Sequence, residues 1–78
     1  MPKSRHTPRY ERLLRVLRAA RLEAGLTQTQ VAKHFRTHAS FVSKVESGER
    51  RIDVVELADF CKLYGVRLTA FLKSAGLE

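Results

Sequence analysis

Each of the four glycines, Gly25, Gly48, Gly65 and Gly76, stands just past a stretch of helically spaced apolar residues, and none stands inside one. Glycine takes a left-handed backbone without steric cost, the conformation in which helices commonly stop, and it weakens a helix interior by about 1 kcal/mol relative to alanine. The placement therefore predicts a chain cut into helices at these points. Matching start signals precede the stops. Thr7 suits an N-cap and Pro8 a first helical position, followed by Tyr10, Leu13, Leu14, Leu17, Ala20 and Ala24 at helical spacing. Thr27 with Gln30 forms a capping box before Val31, Ala32 and Phe35, which predicts a second helix over about 28–35. Thr37 is expected to cap a third helix over about 38–47, with Phe41, Val42 and Val45 turned inward. Asp53 with Glu56 opens a fourth, with Leu57, Phe60, Cys61 and Tyr64 on its core side, and a fifth covers about Leu68 to Ala75. No period-two run bounded by hairpin turns and no internal repeat is present, so the chain reads as all-α, five helices in one domain.

At 78 residues the chain has room for one small core and no deep catalytic cavity, so neither a second domain nor an enzyme is expected. The net charge of +7 is unevenly placed. Residues 1–25 hold seven basic and two acidic side chains, residues 26–52 five and two, and residues 53–78 three and four. The first two thirds of the chain should attract a polyanion. Residues 1–9 combine two prolines, basic side chains and no apolar periodicity, which predicts a mobile basic arm ahead of a domain over 10–78. The single cysteine, Cys61, rules out an intrachain disulfide and sits on an apolar stripe, as a small core residue would. No apolar run after Met1 is long enough for a signal segment or membrane span, so a soluble, cytoplasmic protein is expected. Of the histidines, only His34 and His38 are four apart, and a turn separates them; no metal site and no cofactor are expected.

A short helix, a turn of three or four residues and a second helix have the spacing of a helix-turn-helix. Gly25-Leu26-Thr27-Gln28, then Val31-Ala32, Val42-Ser43, Val45-Glu46 and Gly48, resemble the DNA-binding domain of the Cro and phage-repressor type, often called XRE-like. The resemblance runs from about residue 17 to 72. It implies a compact lambda-repressor-like fold whose third helix enters the major groove of double-stranded DNA. It further implies that Gln28 touches a backbone phosphate, that His38, Ala39, Ser40, Ser43 and Lys44 face base edges, and that Arg21 and Glu46 form a partly buried structural pair. Arg36 departs from the pattern, because relatives commonly place glycine at that turn. Ala39 departs too, standing where relatives often carry a glutamine.

The residues of the third helix support the same surface without relatives. Opposite its apolar arc lie Ser40, Ser43 and Ser47, flanked by Ala39 and Lys44, small enough for close approach to a groove floor. Serine hydroxyls both donate and accept and so discriminate base pairs poorly, whereas Lys44 can favour guanine O6 and N7 and the Ala39 methyl can pack on thymine. Remaining selectivity is assigned to DNA shape and to Lys3, Arg5 and Arg9 following a minor groove. Arg36 is expected to be kept for a phosphate contact, and Arg50 and Arg51 either hold phosphates or are solvated loop charges. The expected function is sequence-specific DNA binding by a repressor-like regulator, as a homodimer on a palindromic operator. Val66, Leu68, Phe71, Leu72 and Leu77 are the expected dimer surface, being more apolar area than one short helix can hide. The alternative is a module of the same fold that binds a protein partner, as an antitoxin or bridging factor does.

Overall fold

The computed structural model describes residues 7–78, so Lys3 and Arg5 of the expected arm lie outside the described residues. Five helices follow in order: α1 (Pro8–Glu23), α2 (Gln28–His34), α3 (Ala39–Ser47), α4 (Val54–Tyr64) and α5 (Leu68–Ser74). Among the described residues there is no strand. Three of the helix starts use the expected side chains. Tyr10 N donates to the Thr7 hydroxyl at 3.2 Å, and Thr27–Gln30 and Asp53–Glu56 both close reciprocal capping boxes. Each box satisfies two backbone N–H donors at a helix start that would otherwise depend on water. Pro8 and Arg9 belong to the first turn of α1, so the expectation of an arm through residue 9 fails for these two. A proline in the first turn sacrifices no helical hydrogen bond, and helix therefore begins two residues earlier.

Four of the five helix ends share one device. After α1, Gly25 N donates to Leu22 O and Leu26 N to Arg21 O; after α4 and α5 the same pair of bonds recurs around Gly65 and Gly76. The chain after α2 does likewise, with Arg36 N bonded to Lys33 O and Thr37 N to Ala32 O, but the left-handed residue is Arg36, at φ 57°. This turn also corrects the expected start of α3. The Thr37 N–H closes α2 at 2.9 Å, and the N-cap of α3 is His38, which makes no side-chain capping bond.

Leu13, Leu14 and Leu17 of α1, Val31 and Ala32 of α2, Val42 and Val45 of α3, and Leu57, Phe60, Cys61 and Tyr64 of α4 meet in one core. Burial pushes the Cys61 thiol above its ordinary pKa, as expected of a core residue rather than a reactive one. Helix α5 packs on both α1 and α4 and drives Phe71 into this core, where it is only 1 % exposed. Phe71 is therefore not part of a free dimer surface. Val66, Leu68, Leu72 and Leu77 are half-buried and pack against the same core. No helix among the described residues is long and apolar enough to cross a membrane.

Candidate nucleic-acid interface

Helices α1 and α3 are tied together by a buried ion pair. The Arg21 Nε donates to Glu46 Oε2 at 2.6 Å and its Nη2 to Oε1 at 3.1 Å, with the two side chains 7 % and 5 % exposed. Arg21 Nη1 also donates to Leu26 O at 2.9 Å, joining the α1–α2 turn to the pair. The hydrogen bond to Glu46 holds the guanidinium above its ordinary pKa against the opposing effect of burial. A paired geometry of this kind is costly to break from one side, at about 3–5 kcal/mol, because the other charge is left buried.

Gln28 joins this network. Its Nε2 donates to Glu46 Oε1 at 3.0 Å, a structural role that the resemblance did not imply. Side-chain bonds from α1 and α2 thus converge on one carboxylate of α3, and α3 is positioned by three hydrogen bonds from two partners, Arg21 and Gln28, as well as by apolar packing. No pattern in the sequence marks a Gln–Glu bond spanning 18 residues; only the pairing of Arg21 with Glu46 hinted at a polar centre there.

The outward side of α3 carries exposed Ser40, Ser43 and Lys44, with His38 exposed at its start. The side chains of Ser40, Ser43 and Lys44 make no hydrogen bond or ion pair among the described residues, so their polar atoms are offered outward. Two neighbours are less available. Ala39 is half-buried against the core, and the Ser47 hydroxyl donates back to Lys44 O at 3.2 Å while accepting from Glu49 N. The helix ends at Gly48, whose φ of 85° turns the chain away toward α4. The resulting surface is a short, small-side-chain ridge with one flexible cation near its middle.

Cations flank the ridge at both ends. Arg36 is exposed on the turn before α3. Beyond α3, Arg51 lies over the Tyr10 ring at 4.5 Å, near the start of α1, and Tyr10 Oη accepts from Ile52 N at 3.1 Å. Arg50 is differently placed. Its Nη1 and Nη2 donate to the two Glu56 oxygens at 3.0 and 2.9 Å, and the guanidinium covers the Phe41 ring at 4.6 Å. That bidentate pairing gives Arg50 the work of tying the α3–α4 loop to α4. Its signal in the sequence is the acidic partner of the capping box six residues on.

A short helix, a tight turn and a second helix with a free polar face, braced from behind by an ion pair, define a helix-turn-helix DNA-binding fold. The family model for the helix-turn-helix domain matches residues 9–70, and the chain belongs to that family, in its XRE-like form. The chain is similar to the solved structure of an XRE-family like protein from Pseudomonas syringae pv. tomato str. DC3000, with 44% identity over 87% of this chain and 83% of that one and a TM-score of 0.81. It is also similar to the clp gene regulator ClgR from C. glutamicum, with 26% identity over 95% of each chain and a TM-score of 0.78. No curated protein matches the sequence.

Proposed function

We propose that this protein is a sequence-specific, repressor-like transcriptional regulator that binds double-stranded DNA as a homodimer on a palindromic operator. The observation that carries the reading is the outward face of α3: Ser40, Ser43 and Lys44 have no partners among the described residues, while the opposite side of the helix is fixed through Glu46. Unpartnered polar atoms on a rigid helix suit base edges, whose donors and acceptors supply the missing bonds. Arg36 and Arg51 would hold phosphates on either side, and the second Nε2 hydrogen of Gln28 is left for another. Lys3, Arg5 and Arg9 are the candidates for a minor groove, and His38, Ala39, Ser47 and Arg50 occupy the edges of the site. The family, and the presence of a regulator among the similar structures, support a binding role rather than catalysis.

Dimerisation is part of the proposal because one short recognition helix reads only a few base pairs, and two related by a dyad about 34 Å apart read a half-site each. With Phe71 in the core, the surface offered for it is the half-buried set Val66, Leu68, Leu72 and Leu77. The test is selection of bound duplexes from a random pool, followed by titration of the enriched duplex into labelled protein. Amide shifts are expected at Ser40, Ser43 and Lys44, and the enriched sequences should contain two inverted half-sites. Shifts confined to other helices would remove the recognition face, and a single unrepeated motif would remove the dimer.

A further inference from the structure

Behind the recognition helix, between the α2–α3 turn and α4, lies an open groove of about 200 Å³. Phe35, Thr37 and Phe41 form one side, Glu56 and Asp59 of α4 the other, and Phe60 is part of the lining between them. The rings are held firmly: Phe35 meets Phe60 edge-on at 5.1 Å, Phe41 stacks on Phe60 at 6.3 Å, and Phe60 is 2 % exposed. On a chain of net charge +7, this is an aromatic recess edged by carboxylates.

Two groups of the lining, Phe41 and Glu56, already hold a guanidinium. Arg50 covers Phe41 and is clamped by both oxygens of Glu56. The rest of the lining repeats the two elements of that clamp, a ring (Phe35, against the buried Phe60) and a carboxylate (Asp59), without the cation. Asp59 makes no hydrogen bond or ion pair among the described residues, and its side is exposed. A carboxylate beside an aromatic face favours a planar, delocalised cation, because the guanidinium can stack on the ring and direct its N–H groups to the oxygens at once.

We infer that the Phe35–Phe60–Asp59 part of this groove takes the arginine side chain of a protein partner. A second hollow, which shares Phe35 and Asp59 with the first, is lined by His34, Lys62 and Leu63. A run of several basic residues would meet Lys62 there, so the site selects a single arginine followed by an apolar residue that rests on Leu63. Nothing in the site uses the outward face of α3, and the interaction is independent of whether that face reads DNA. A partner seated there lies against Phe35 and Thr37, which close α2 ahead of α3.

The test is titration of the labelled full chain with the capped peptide acetyl-Ala-Arg-Leu-amide, and with its citrulline and lysine counterparts, which remove the charge and the planar fork respectively. Saturable amide shifts are expected at Phe35, Thr37, Asp59 and Phe60 with arginine, several-fold weaker with lysine and absent with citrulline. Asp59→Asn should abolish the shifts while leaving the thermal midpoint and retardation of duplex DNA unchanged. Selection from a displayed random heptapeptide library should enrich one arginine with an apolar neighbour. Equal response to citrulline, unchanged binding by Asp59→Asn, an enriched motif without arginine, or shifts located elsewhere would each overturn the assignment. If Asp59→Asn does not fold, Asp59→Glu replaces it, and its retention of the arginine response with a changed affinity is the expected result; loss of all ring-proton contacts to the peptide guanidinium would refute it.

Discussion

At the scale of single residues, the most informative position is Arg36. Its φ of 57° puts a side chain where three of the other helix ends use glycine in the same pair of turn hydrogen bonds. A left-handed backbone costs a non-glycine residue about 1–2 kcal/mol, part of which glycine gives back through its greater freedom in the unfolded chain. Arg36→Gly is therefore expected to raise stability by up to about 1 kcal/mol in urea denaturation. If the charge is kept for a phosphate, the same variant should lose DNA affinity; a more stable protein with undiminished binding would leave the arginine without a functional reason. This position stood out in the sequence only through the family resemblance, because relatives commonly place glycine at that turn. The sequence did not make visible that the Ser47 hydroxyl turns back to Lys44 O, that Ala39 leans into the core, or that Gln28 bonds Glu46, since each depends on where a neighbour in space lies.

At the scale of elements, helix boundaries were legible wherever a cap is closed by residues three or four apart. Thr7, Thr27 and Asp53 behave as their local sequence predicts. Thr37 does not, because its N–H is claimed by Ala32 of the preceding helix, and Phe71 does not, because the wheel of one seven-residue helix carries no information about the two helices packed on it. The α3–α4 connection holds itself to α4 through Arg50 and Glu56, and this strap has a pH dependence. Its hydrogen bond to Arg50 holds the Glu56 carboxyl below the ordinary value of 4.5, aided by the Asp53 backbone and opposed by partial burial. A carboxylate whose folded pKa is lowered contributes stability above the unfolded value and loses it as the pH falls through the folded one. Comparison of Glu56→Gln with the parent should show a deficit within about 1 kcal/mol at pH 7, given the solvent exposure of the pair. The deficit is expected to persist down to about pH 4.5 and to shrink below it. Glutamine can still accept from Asp53 N, so the capping bond is kept, and a deficit that does not change with pH would exclude the Arg50–Glu56 ion pair as its cause.

At the scale of the whole molecule, the charge distribution and the dimer proposal can be examined in one experiment. The basic excess lies in residues 1–52, which include the helix-turn-helix, whereas residues 53–78 carry a net charge of −1. Phosphate neutralisation releases counterions, so the logarithm of the affinity falls with the logarithm of salt concentration by about 0.9 per phosphate. Four contacts in each of two subunits give a slope near −7, and one subunit alone gives about half of that. Removing one phosphate cation from every subunit then reports how many subunits are bound. Arg51→Ala should weaken binding to all duplexes alike and flatten the slope by about 2 if two copies occupy the operator, but by about 1 if a single copy does. Lys44→Ala should instead change the preferred sequence, because a cation at a base edge contributes to discrimination as well as to charge. A slope near −7 that moves by about 1 on Arg51→Ala would mean that the arm and the loops of one chain supply the contacts, and the half-buried C-terminal leucines would then be core alone.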